Sequence, residues 1–185
     1  MFCRATLDAA RRGCCNRVVD PNGAHSAQRF VVSVDGSYSQ QTGVGGWAAL
    51  IIERPIGRER RRSGFLPRGR GPAWMELFAL LEGLRSLPSG SHAVVRMDAL
   101  TVLEVAKVRR RRTRVKTYAL GREQRAWASF DREVTRLARV DLHWVRGHSG
   151  DPGNALAHEL AMQARGVGEA ARHQRHPGVG AVLCG

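Results

Sequence analysis

Apolar positions along the chain fall first into short β-branched runs and later into helical spacings. FVVSV (Phe30–Val34) closes at Asp35 and is followed by the turn-rich DGSYSQQTGVGG. WAALII (Trp47–Ile52) reads as a second strand and RRRSGFL as a poorer third, together an antiparallel meander. In GPAWMELFALLEGLRSL, Leu77, Leu80, Leu81 and Leu84 recur at i, i+3, i+4 and i+7, and Pro72 and Pro88 bracket a helix. HAVVRM predicts a strand ending at Asp98, and ALTVLEVAKV a short helix. RRRRTRVKT has no apolar face. A helix near Arg122–Leu137, the strand DLHWV and a last helix from about Pro152 to Ala164 follow. The order β-β-β-α-β-α-α-β-α predicts an α/β fold: a mixed five-stranded sheet, antiparallel meander plus parallel strands, flanked by helices.

The ends carry less pattern. Residues 1–28 lack sustained periodicity and contain DPNGAHS, so they read as a flexible N-terminal arm; the Gly-rich residues 167–185 read as a flexible C-terminal tail. Between them, residues 29–166 form one domain, and a hydrophobic content of 43% is enough for a core.

Charge changes the picture more. There are 30 basic and 16 acidic residues, a net +14, and only Lys107 and Lys116 are lysines. Arginine's planar fork suits phosphate, although genomic composition can also enrich it; a polyanionic partner is favoured. Cys3, Cys14, Cys15 and Cys184 show no C-x-x-C spacing, which supports neither a zinc site nor a disulfide framework. No apolar run is long enough for a bilayer span, and the first residues, MFCRATLDAARR, lack the apolar core of a secretory signal. The expectation is a cytoplasmic monomer with no membrane contact and no obligatory protein partner.

Within so basic a chain three acids stand out. Asp35 and Asp98 each follow a strand, and Glu76 lies in the first turns of the long helix. An isolated acid at a strand end is ordinarily a solvated turn residue. Three at the ends of separate elements suit a hard cation, which needs several converging oxygens, and the carboxyl ends of strands are where sites collect in such sheets.

The stretches VDGSYSQQTGVGGWAALI, WMELFALLEGLRSL, VVRMDALTVLEV and WVRGHSGDPGNALAHELA together resemble type 1 ribonuclease H, in that family's order, from about Phe30 to Arg165. The resemblance implies the ribonuclease H-like fold and hydrolysis of the RNA strand of RNA–DNA hybrids with two divalent ions, Mg2+ or Mn2+, leaving 5′-phosphate and 3′-hydroxyl ends. It places metal-site roles on Asp35, Glu76, Asp98 and His158, and proton handling or product exit on His148. Gly36 and Ser37 would offer backbone groups to the substrate, and Asn154 a substrate or supporting contact. The segment Arg109–Lys116 occupies the place of a basic protrusion, so Arg109, Arg110, Arg111 and Arg112 would contact phosphates.

Three positions depart from the family pattern. HELA puts His158 where the family has a carboxylate. Either His158 ligates a metal through an imidazole nitrogen, as Holliday-junction resolvases of the same superfold can do, or it is a surface histidine on a weakened site. Imidazole in place of carboxylate predicts a Mn2+ preference. Pro72, Ala73 and Trp74 stand where the family often has asparagines that read the RNA 2′-hydroxyl, which leaves hybrid specificity more open than the fold. Ala99 follows Asp98 where Ser or Asn is common. A nuclease acting on structured DNA and a non-catalytic hybrid-binding module therefore stay in view. Trp47 and Trp144 read as core residues, and His143 as structural.

Overall fold

A computed structural model describes residues 27–111, 123–147 and 150–175. Its elements in chain order are β1 (Arg29–Tyr38), β2 (Gly45–Arg54), β3 (Glu59–Leu66), α1 (Pro72–Arg85), β4 (His92–Met97), α2 (Leu100–Arg111), α3 (Gln124–Arg136), β5 (Arg139–Trp144) and α4 (Pro152–Arg175). The five strands form one sheet in the order β3-β2-β1-β4-β5. β1–β2 and β2–β3 pair antiparallel, while β1–β4 and β4–β5 pair parallel. The mixed α/β sheet expected from the hydrophobic pattern is the one observed.

Alternation along β1 divides its side chains between two layers. Val32 and Val34 face α1, where both lie beside Gly83. Ser33 and Asp35 face α4, meeting Gly153 and His158 respectively. The main core lies on the α1 side, where Phe30, Val32, Val34 and Ile51 pack with Leu77, Leu80 and Leu84 of α1 and with residues of α2 and α3. α1 starts at Pro72 behind Gly71, whose φ of 115° suits glycine. Beyond its other end, Arg136 of α3 donates hydrogen bonds to the carbonyls of Leu84 and Leu87.

α4 covers the opposite face with small residues: Ala157, Ala161 and Ala164 are buried. The approach is close enough that a Cβ on Gly46 would lie 2.0 Å from the Ala161 carbonyl oxygen and 2.6 Å from the Arg165 nitrogen. α4 also corrects an expectation. It continues to Arg175 instead of ending near Ala164, so residues 167–175 are helix and not a flexible tail. Gly168, within the stretch expected to be a flexible tail, is a packing position: a Cβ there would meet the Phe65 ring at 2.6 Å. Glu169 one residue on accepts a hydrogen bond from the Thr42 hydroxyl at 2.9 Å. The arm, residues 1–26, and residues 176–185 lie outside the described residues.

Other corrections concern α2 and β5. Arg109–Arg111 are not part of an irregular basic segment but the last turn of α2. Trp144, expected in the core, is 49% exposed, and His143 is exposed beside it. Trp47 does pack on the core, edge-on to Phe78.

Gly46→Ala is expected to lose about 3 kcal/mol, or about 9 °C in Tm, because the added methyl meets α4 backbone. Gly57, at φ 74° with open space around it, should lose only about 1 kcal/mol as Gly57→Ala. Thermal melts of the two variants compare them directly; equal losses would contradict close packing of α4.

Candidate metal centre

The parallel pairing of β1 and β4 sets Asp35 and Asp98 at the same end of adjacent strands, and α1 brings Glu76 over that end. Gly36 makes the third approach possible: a Cβ on it would lie 2.4 Å from the Met75 carbonyl carbon and 2.5 Å from the Glu76 nitrogen. The result is one carboxylate oxygen each from Asp35, Glu76 and Asp98, all within 4.8 Å of one another. Asp35 is buried, and Glu76 Oε2 is buried with no hydrogen-bond partner among the described residues.

Such a cluster resists full ionisation. Burial, reinforced by the charges of Asp35 and Asp98, pushes the Glu76 carboxyl from 4.5 up to about 9. Burial and the Asp98 charge raise Asp35 from 3.8 to about 6, opposed by His158 and by a hydrogen bond from the Gly36 backbone. Three oxygens converge, one of them unpartnered, in a pocket that disfavours its own negative charge. That donor set fits hard divalent cations.

Neighbouring residues brace the cluster. Asn154 is buried and donates from Nδ2 to Asp98 Oδ2 at 3.3 Å, and Asp151 Oδ1 accepts from the Asn154 backbone N–H at 2.9 Å. Asp151 also pairs with Arg96 of β4 at 3.0 Å. The Trp144 indole N–H donates to the Asp98 carbonyl oxygen at 3.0 Å. This contact was missed in sequence, where a tryptophan between His143 and Val145 reads as core; the only clue is its strand position opposite Met97. Asp98, Asn154, His158 and Arg146 line a small cleft of about 180 Å³.

His158 stands outside the three-carboxylate group. Its Nδ1 lies 3.0 Å from Asp35 Oδ2, and the imidazole is 38% exposed. Ser37 is buried, and its Oγ accepts from Arg165 at 3.0 Å. Among the basic residues, Arg109 is committed internally: its guanidinium forks onto Asp131 of α3, lies over the Trp127 ring at 5.7 Å and is 9% exposed. Its guanidinium is thus engaged within the fold, between α2 and α3. Arg110 donates to the Val140 carbonyl and to Asp141 of β5. His148, Arg112 and the side chain of Arg111 lie outside the described residues.

The raised pKa of Glu76 carries a stability consequence. The folded form holds a proton that the unfolded chain releases, so cation-free stability falls as pH climbs from the ordinary carboxylate range towards 9. Glu76→Gln removes that penalty. In EDTA the variant should melt about 5 °C above wild type at pH 8 and level with it near pH 4. A lower melting temperature for the variant at pH 8 would show that the Glu76 charge is not strained.

The RNase H family model matches residues 27–165. Ribonuclease H of Bordetella pertussis is 32% identical over 155 residues, covering 81% of this chain and 96% of its own. Ribonuclease HI of Pseudomonas aeruginosa is 31% identical over 150 residues, covering 78% and 97%. Among solved structures, the N-terminal RNase H domain of a Mycobacterium tuberculosis protein, fused to maltose-binding protein, superposes with a TM-score of 0.62 at 19% identity, covering 79% of this chain and 99% of that one. The likeness of fold and the agreement of sequence across four-fifths of the length converge: this chain belongs to the ribonuclease H family.

Proposed function

We propose that the protein is an endoribonuclease hydrolysing the RNA strand of RNA–DNA hybrids, with divalent cations held by Asp35, Glu76 and Asp98. The observation that carries this reading is the convergence of the three carboxylates within 4.8 Å, with Glu76 Oε2 unpartnered. Divalent ions there supply charge neutralisation for the phosphate and an acidified water as nucleophile. Asp35, Glu76 and Asp98 would each offer a carboxylate oxygen to such ions. Asn154 and Trp144 orient Asp98 through its carboxylate and its carbonyl. His158 orients Asp35, and its imidazole, in place of the family's carboxylate, leaves the site one negative charge short. His148, outside the described residues, is assigned proton handling or product exit by the family resemblance.

A second reading concerns the substrate. Ahead of Glu76, the Arg70 guanidinium lies 4.7 Å from the centroid of the Trp74 ring, where the family often has asparagines that recognise the 2′-hydroxyl. The absence of those asparagines at Pro72, Ala73 and Trp74 is what favours a structured DNA substrate on the same carboxylates. Among the described residues no helix is long and apolar enough to cross a membrane.

One assay separates the readings. Labelled hybrid, duplex DNA, duplex RNA and a four-way junction are incubated with protein in Mg2+ and in Mn2+, beside Asp35→Asn. Hybrid alone should be cut, and Asp35→Asn should be slower by about a thousandfold; junction cleavage would favour the second reading, and binding without cleavage a non-catalytic module. In the same assay wild type should work faster in Mn2+ than in Mg2+, and His158→Asp should gain about tenfold in Mg2+. Equal wild-type rates in the two metals would refute the proposed effect of His158.

A further inference from the structure

The largest cavity described lies away from the carboxylates. It measures about 480 Å³ and opens between the turn after β1, the loop after β3 and the last turns of α4. Arg68, from the loop after β3, and Arg172, from α4, both line it, together with Thr42, Gly43, Phe65 and Gly69. Both arginines are exposed and have no ion-pair or hydrogen-bond partner among the described residues. Other exposed arginines, Arg29 and Arg58 among them, likewise have no ion pair among the described residues; what sets Arg68 and Arg172 apart is that both line one cavity. The neighbouring acid does not neutralise them, because Glu169 turns to Thr42 and Arg165. Two guanidinium groups lining one open cavity form a site for an oxyanion, which each can grip with parallel N–H donors.

Position identifies the anion. Tyr38 pairs with Gly45, which pairs with Leu66, so the cavity lies beyond the same end of the sheet as Asp35. α4 connects the two places: His158 meets Asp35, Arg165 meets Ser37, Glu169 meets Thr42, and Arg172 reaches the cavity. From His158 to Arg172 the helix rises about 21 Å, the length of about six base pairs. Moreover, Gly168, Ala171 and Arg172 lie beyond residues 27–165, the stretch matched by the family. That part of the lining comes from the last turns of α4.

We propose that this cavity is a phosphate-binding subsite, in which Arg68 and Arg172 hold a backbone phosphodiester of the bound nucleic acid about six base pairs from the carboxylate cluster. The choice of ligand rests on the nuclease reading above. The subsite lengthens the footprint along α4 and favours long substrates over short ones.

The test measures binding by the Asp35→Asn protein, which keeps its substrate intact, with and without Arg68→Gln and Arg172→Gln. Hybrids of about 5 and 18 base pairs are titrated over a range of salt. Arg29→Gln with Arg58→Gln, two exposed arginines at the opposite end of the sheet, serves as a control of equal net charge. The paired Arg68 and Arg172 variant should weaken binding of the long hybrid about tenfold and flatten its log–log salt slope by about one unit. The short hybrid and the control protein should show no such change, and unaltered thermal melts exclude misfolding. If the long hybrid binds with the same affinity and slope, the subsite is refuted while hybrid recognition stands. If the parent prefers junction DNA and the arginines still matter only on long molecules, hybrid recognition is refuted while the subsite stands. If the control loses affinity equally, the effect is one of net charge and the subsite is refuted.

Discussion

The site depends on how closely two helices approach β1. α1 reaches the strand over Gly36, and α4 reaches its neighbour β2 over Gly46, with no room for a Cβ at either place. These approaches come from opposite sides of the sheet. One delivers Glu76 and the other delivers His158 and Asn154, so Asp35 is met from both faces at once. A longer interhelix spacing would leave the same residues in the chain but no convergence of their oxygens.

Close convergence sets the electrostatics. Burial raises the Glu76 and Asp35 carboxyls, and neighbouring carboxylates raise them further, with the larger rise at Glu76. A cation relieves it, so the same crowding that disfavours the empty cluster favours a loaded one. The surrounding contacts act on direction more than on charge: Asn154 and Trp144 hold Asp98 by two different oxygens, and His158 holds Asp35. The strain is local, in a chain that carries +14 overall.

That positive charge is not spread evenly over a binding face. Arg109 is folded against Trp127 and Asp131, Arg110 ties α2 to β5, and Arg136 closes the end of α1. These arginines use hydrogen bonds to hold elements of the fold together. Arg68 and Arg172 differ in lining one cavity together, with no ion pair of either among the described residues. Net charge therefore identifies the class of partner, whereas internal pairing decides where that partner can be held.

The strand order, the helix α1 and the three acids at element ends were legible in the sequence because each rests on local spacing: alternation in FVVSV, the leucine repeat from Leu77, and acids set directly after apolar runs. The family motifs likewise pointed to His158 as the altered position. What local spacing could not supply was which groups meet. Gly168 fell in a stretch that looked like a flexible tail until Phe65 filled the space beside it, and Trp144 looked like core until its indole met the Asp98 carbonyl. Arg109 looked like a phosphate contact until Asp131, 22 residues away, took its guanidinium. Backbone propensity acts over a few neighbouring residues and is written in their order; hydrogen bonds and ion pairs act over a few ångströms, and only the folded chain determines which distant residues come that near.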